Sequence, residues 1–450
     1  MSSEDFITNS GKYNSKYLQT EPMIAWFTTT ELGMMVWSNI DNLTIYPMFE
    51  SFSDGYQNVI IKKMPTLIIN SNEPIVIKYG PLVDNFTNFI QGPPQKYCKI
   101  SLNILENDTV VNLYEFNYKI PKYWAGPIDE DIPPFNFLIN SCTKLLGDYE
   151  TVPEKFPYKL FELFKYVSYN SNLNILLGDN IYLSGYQYDT ELGLIQRYKK
   201  LLQFPELSGA WSSCSWSAIA DDHDLGVNDV SLGGPSLYLC RDVFSKFWPN
   251  NNENNISPLM WSMFKYDLSF VGLDCRSFST EPGNLNSTIL GDKQLNWLRQ
   301  TLFSIKKLYK NSFVFICTSV PFIRPRKSYF NNYAKDQGAI INMIKEFDLK
   351  NVVFLTGSAH YSEISQWPIS ETITITEFMC SPMGTIPRDE IDYKKSFPPN
   401  PYSVNGSVIL NTNNFGQINV NGKNNERKLS YNVYDENGIV VSSFEMNQKM

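Results

Sequence analysis

Across residues 1–130, apolar and polar positions alternate over short stretches separated by turn-forming residues. The stretches are MIAWFTTT, GMMVWSNI, NVIIKKM, TLIINSN, PIVIKYG, CKISLNIL and TVVNLYEFNYKI. Alternation over so few residues, with many β-branched and aromatic side chains, predicts strands that bury one face. Segments of helical period are scarce there, so a β-sandwich is expected. The proline-rich IPKYWAGPIDEDIPP, residues 120–134, reads as a connector.

From residue 135 the pattern changes. FNFLINS, LNILLG, SWSAIA, SFVGL, FVFICTSV and NVVFLTG are apolar almost throughout, as strands covered on both faces must be. Between them lie segments of helical period. Residues 154–169 form one; Leu295, Leu298, Leu302 and Ile305 mark a second; Ile340, Ile344 and Phe347 mark a third within 335–348. Strands alternating with helices predict an α/β sheet with helices packed on its faces. From about residue 400 strand patterns return, with Asn-Gly turn signals at 405–406, 421–422 and 437–438. The expected organisation is therefore a β domain over 1–130, an α/β domain over 131–400 and a β segment over 401–450 that packs on it.

Composition sharpens this. With 450 residues, 43% of them hydrophobic, the chain can build more than one core. A net charge of -8 argues against nucleic-acid binding through a basic surface. Any phosphate site must then be a local positive patch, such as a bound metal. No run approaches the roughly 18 apolar residues of a membrane span. The opening MSSEDFITNSGKYNSKY lacks the apolar centre of a signal peptide, so a soluble cytoplasmic protein is expected. The seven cysteines are expected as free thiols. Only two histidines exist, His223 and His360, which excludes three-histidine zinc sites and leaves oxygen and sulfur as the main ligands.

Position brings these residues together. FNFLINS runs into Cys142, LNILLG into Asp179, SWSAIA into Asp221, Asp222, His223 and Asp224, and NVVFLTG into Ser358, Ala359 and His360. In α/β sheets, ligands bind beyond the carboxyl ends of strands, so these groups can converge although they are distant in sequence. Taken singly, each has an ordinary reading: a turn or cap aspartate, a satisfied histidine, a buried cysteine, a core tyrosine. Taken together they make a pocket. Asp179 has two oxygens and can bridge two cations, and Tyr182 can add a phenolate. A thiolate with a phenolate favours a highly charged transition metal such as ferric iron over magnesium. His223, beside carboxylates, can donate a proton or face a phosphoryl oxygen.

These motifs carry a resemblance. NSC at 140–142, LLGDNIY at 176–182, IQRYKKLL at 195–202, IADDHDLGVNDVS at 219–231, GLDCRSF at 272–278, LGDKQLNWLRQTL at 290–302 and VVFLTGSAHYSEI at 352–364 occur in the order found in alkaline phosphatase D (PhoD-like) metallophosphoesterases. The late NNFGQINVNG and KLSYNVYDENGIVV resemble the C-terminal strands of that family. The resemblance covers nearly the whole chain. It implies a four-layer αββα core of the calcineurin-like type behind an immunoglobulin-like N-terminal domain. It implies hydrolysis of phosphomonoesters or phosphodiesters by a metal-activated water. Cys142, Asp179, Tyr182 and His360 would surround a ferric ion, and Asp179 would bridge to a calcium-like ion with Asn228 or Asp222 contributing. His223 would face the substrate phosphate. Arg197 and Arg276 are candidates for phosphate contact or for structural ion pairs, and Asp274 reads as structural.

One departure matters. The family's Gly-Asp-x-His becomes Gly357-Ser358-Ala359-His360, and a neutral hydroxyl replaces a carboxylate that would serve the second metal. Loss of a negative ligand weakens a hard divalent site, unless Asp221, Asp224 or Asp229 substitutes. A degenerate relative that binds or scaffolds without catalysis is the alternative reading. A serine- or cysteine-nucleophile hydrolase is disfavoured, since no GxSxG elbow occurs.

Overall fold

The computed structural model describes residues 16–27, 32–52, 59–79, 97–119, 132–146, 156–183, 185–250, 256–309, 311–326 and 329–450. Residues 1–15 and 120–131, which hold most of the opening segment and of the connector, lie outside them.

The N-terminal strands are β1 (Met23–Phe27), β2 (Leu32–Val36), β3 (Leu43–Phe52), β4 (Val59–Lys63), β5 (Leu67–Ile69), β6 (Ile75–Tyr79), β7 (Tyr97–Glu106) and β8 (Thr109–Lys119). β1, β2 and β6 form one antiparallel sheet, and β4, β3, β7 and β8, with β5 on β3, form another. The alternation read from sequence puts Ile24, Met34 and Ile77 of the first against Ile45, Ile100, Leu102 and Phe116 of the second, closing a sandwich. Met23, Met35 and Trp37 point the other way, into the core of the following domain. Glu21 fastens that junction, accepting from Gly209 N at 2.6 Å and from Ser212 Oγ.

The rest of the fold is layered. One sheet has the order β11 (Ser215–Ile219), β10 (Leu173–Leu177), β9 (Phe135–Asn140), β18 (Asn414–Asn421), β19 (Lys428–Asp435) and β20 (Val440–Asn447). The other has β12 (Trp261–Lys265), β13 (Leu268–Gly272), β14 (Val314–Thr318), β15 (Val352–Thr356), β17 (Thr374–Met379) and β16 (Glu363–Pro368). β9, β10 and β11 run parallel, as do β13, β14, β15 and β17. Phe137, Ile175, Phe270, Phe315 and Val353 pack between the two sheets. Their neighbours one residue along face outward: Leu138 and Leu176 meet one helical layer, Ile316 and Phe354 the other. The unbroken apolar runs thus serve two cores at once, at about 1.5–3 kcal/mol per fully buried large side chain.

The first helical layer holds α1 (Tyr158–Ser168), α2 (Glu191–Leu202), the one-turn α3 (Asp222–Leu225) and α4 (Leu237–Phe247). The second holds α5 (Gly291–Leu308) and α6 (Ala334–Glu346); a short α7 (Glu390–Ser396) follows β17. In α5 the four residues singled out by spacing are the buried stripe. The helix α2 was not evident from its pattern; Thr190 starts it, its hydroxyl accepting from Gly193 N. The C-terminal strands do more than pack on the core: β18 pairs antiparallel with β9 and extends the first sheet. Among the described residues no helix is long and apolar enough to cross a membrane. All seven cysteines are buried free thiols.

Candidate metal centre

The parallel strands of the two facing sheets end on one side of the sandwich, and their loops are tied to one another. Cys142 N donates to Gly178 O at 3.2 Å, and Thr143 N to Asp179 O at 2.8 Å, joining the loops after β9 and β10. Ser381, after β17, accepts from His360 N at 3.0 Å and donates from Oγ to Cys142 Sγ at 3.3 Å, joining the loops of the two sheets. Cys142, Asp179, Ser358 and His360 all adopt left-handed backbone, with φ of 56°, 53°, 66° and 61°. Such conformations cost L-residues on the order of 1 kcal/mol or more each and cluster where geometry is over-determined by function. At Cys142, Asp179 and His360 the turn off the strand end goes with side chains that meet at a shared point.

At that point the donors form two groups with one member in common. Atoms of Cys142, Asp179 and His360 lie within 4.8 Å of one another, and so do atoms of Asp179, Asp222 and His223. Tyr182 Oη donates to Asp179 Oδ2 at 2.8 Å, and Cys142 Sγ donates to the same oxygen at 3.5 Å. The other oxygen, Oδ1, faces His223 N at 3.3 Å. The Tyr182 and His223 rings lie 4.5 Å apart, so the two groups touch through their side chains as well.

The electrostatics call for a cation. Asp179, Asp221, Asp222 and Asp224 are all buried. Burial, then Asp222, Asp221 and Asp224, push the Asp179 carboxyl well above its ordinary range. Burial and the neighbouring Asp179 raise the Cys142 thiol and the Tyr182 phenol in the same way. Burial would raise Asp222 too, but Arg276 and His223 hold it at about 2. Burial, then Arg388, His223 and Arg326, press His360 down to about 3 and so keep its imidazole neutral and able to ligate. Asp221 Oδ2 and His223 Nδ1 are buried without a hydrogen-bond partner among the described residues. Thiol, phenol, carboxylates and neutral imidazole gathered in one buried cluster, where the acids resist ionising without a cation, fit one or two metal ions.

The other candidates have different surroundings. Asn228 is exposed, its amide donating to Asp229 Oδ2 at 3.0 Å, whereas Asp222 is buried beside Asp179. Arg276 is buried against acidic partners: Nε donates to Asp221 Oδ1 at 2.6 Å, and Asp222 lies 3.8 Å away. Arg197 Nε donates to Tyr182 O at 2.6 Å, holding the backbone of a candidate ligand. Asp224 is occupied by the backbone, accepting from Asn180 N, Ile181 N and Asp221 N at 3.0, 3.3 and 2.9 Å. Asp229 is exposed, its N donating to Asp222 Oδ2 at 2.6 Å. Asp274 accepts from Ser257 Oγ, Arg276 N and Ser277 N, a turn-holding role. Two residues escaped sequence reasoning. Ser381 ends the apolar run of β17 and follows the same strand-end rule as the rest. Ser319 follows β14 and donates to Asp221 Oδ1 at 3.0 Å.

Residues 252–431, which include Arg276, Ser358 and His360, match the family model described as PhoD-like phosphatase. No curated protein matches the chain. The fold is similar to the solved structure of PhoD, with a TM-score of 0.70 at 16% identity, covering 98% of this chain and 94% of that one. It is also similar to a purple acid phosphatase from yellow lupin (Lupinus luteus) seeds, with a TM-score of 0.62 at 10% identity over 95% of this chain and 74% of that one. Residues 252–431 are thus similar to PhoD-like phosphatases by family model, and the fold over nearly the whole chain is the one seen in PhoD and in the lupin purple acid phosphatase.

Proposed function

We propose that the protein hydrolyses phosphate esters, monoesters or diesters, with the help of metal ions held by the pocket. The observation that carries this reading is the single carboxylate of Asp179, shared by the two donor groups. In this reading Cys142, Asp179, Tyr182 and His360 hold one ion, and a thiolate with a phenolate favours ferric iron there. Asp179, with Asp222, serves a second, divalent site such as calcium. When bound, the metals neutralise phosphate oxygens and make water a better nucleophile. The protein's own groups do the rest. His223, half-buried with Nδ1 unpartnered, faces the phosphate and carries a proton toward the leaving oxygen. Arg276 fixes Asp221 and keeps Asp222 ionised, and Arg197 holds the Tyr182 loop in register.

The test is elemental analysis of the purified protein alongside hydrolysis of chromogenic phosphomonoesters and phosphodiesters. Bound transition metal with turnover that falls at least about a hundredfold in His223→Ala is expected. Fully metallated protein that turns over neither ester class would contradict the reading.

Ser358 favours a second reading, a binding protein on the same fold. It stands half-buried with φ 66° where the family pattern has a carboxylate. Ser358→Asp separates the two. If the substitution creates activity that the natural chain lacks, the natural chain is not an enzyme; if wild type already turns over, this second reading fails.

A further inference from the structure

A second concentration of charge borders the centre. Arg326 lies between β14 and α6, and Arg388 precedes α7. Arg388 is anchored to the loop that carries His360: its N donates to His360 O at 2.8 Å, and its Nε to Ala359 O at 3.0 Å. Arg326 is clamped at its backbone, N donating to Asn331 Oδ1 at 3.0 Å and O accepting from Asn332 Nδ2 at 2.7 Å. Both guanidiniums rest on the ring of Phe397, 5.2 Å and 5.3 Å from its centroid. The arginines are half-buried side by side, so each raises the cost of the other.

Their partners are neutral. Arg326 Nη1 donates to Tyr329 Oη at 3.2 Å, and Arg388 to a main-chain carbonyl. Among the described residues neither forms an ion pair, whereas nearby Arg276 meets Asp221 and Arg324 meets Glu363 at 3.7 Å. The acids whose fields reach them are Asp229 and Asp222 for Arg326 and Asp392 for Arg388. A groove of about 500 Å³ opens at Arg326, lined also by Pro325, Asn331, Asn332, Ser396 and Pro398.

We propose that Arg326 and Arg388 form an anion subsite at the His360 edge of the metal centre, where they hold a second phosphoryl group of the substrate. Guanidinium forks match phosphoryl oxygens in planar, charge-assisted pairs, and an anion between the two would relieve their repulsion. The assignment rests on the phosphoesterase reading and narrows it: the preferred esters carry an additional phosphoryl group within reach of the one that is cleaved. The groove beyond Arg326 gives the remainder of such a substrate a place to lie.

Calorimetric titration of the full chain, as purified, with inorganic pyrophosphate and with orthophosphate tests this directly. Pyrophosphate should bind at least about tenfold more tightly, the size expected of one charge-assisted pair. The R326Q/R388Q pair should lose that preference, and R326K/R388K should retain part of it. Arg299→Gln, a surface arginine paired with Glu346, should retain all of it. Should the glutamine pair fail to fold, the single glutamine variants and the lysine pair carry the same comparison. Equal affinities in wild type, or a preference that survives in R326Q/R388Q, overturns the subsite. Phosphonoacetate binding as tightly as pyrophosphate overturns the phosphoryl assignment in favour of a carboxylate. A chain that cleaves no ester but shows the arginine-dependent preference retains the subsite and loses the hydrolase reading. An active enzyme with an unchanged preference in the double variant loses the subsite alone.

Discussion

Two aspartates with nearly the same burial do opposite work. Asp224 spends its oxygens on three backbone donors and on Asn180 Nδ2 at 3.2 Å. Asp224→Ala strands those buried groups at about 1–3 kcal/mol each, so urea denaturation should show a loss of several kcal/mol whether or not metal is present. Asp179 is instead the most crowded carboxylate of the centre. Asp179→Asn should abolish metal retention in elemental analysis. It should leave the chelator-treated protein at least as stable as chelated wild type, because a crowded buried charge disappears while Oδ1 remains to accept from His223 N. Chelated Asp179→Asn that is much less stable than chelated wild type would make Asp179 a structural residue.

At the scale of elements, strand ends decide the site. Gly178 has φ +95°, and a Cβ there would come within 2.7 Å of Asp221 Cβ and 2.9 Å of Ser319 Cβ. The loops after β10, β11 and β14 therefore meet only because this position lacks a side chain. Across the second sheet, Glu377 of β17 accepts from Phe322 N at 2.6 Å and Ile323 N at 3.1 Å, binding the segment after β14. Burial lifts its carboxyl to about 7, against an ordinary 4.5. A raised acid is favoured in its protonated form by the fold. Its contribution is complete below about pH 4.5 and is lost as pH climbs through about 7, at up to about 1.4 kcal/mol per pH unit. Glu377→Gln should flatten the stability of the chelated protein across that window, as read by urea midpoints. An unchanged slope would show that Glu377 titrates normally.

At the scale of the whole molecule, the β-then-α/β order was readable because strand runs and helix stripes are local patterns. Convergence of Cys142, Asp179, His223 and His360 was readable because strand ends share one side of such sheets. What sequence could not show were partners that only folding chooses. Arg276 against Asp221, Arg197 on the Tyr182 carbonyl, and the placing of Asp222 beside Asp179 all depend on loop paths. Arg326 and Arg388 were invisible for the same reason: nothing in their flanking residues marks them, and Phe397 unites them only in three dimensions.

The most direct measurement is anomalous X-ray scattering, at transition-metal absorption edges, from crystals of the protein purified without chelator. A metal peak enclosed by Cys142, Asp179, Tyr182 and His360 is the predicted result. Well-ordered side chains at that point with no anomalous peak among them, in protein shown to hydrolyse phosphate esters, would contradict it.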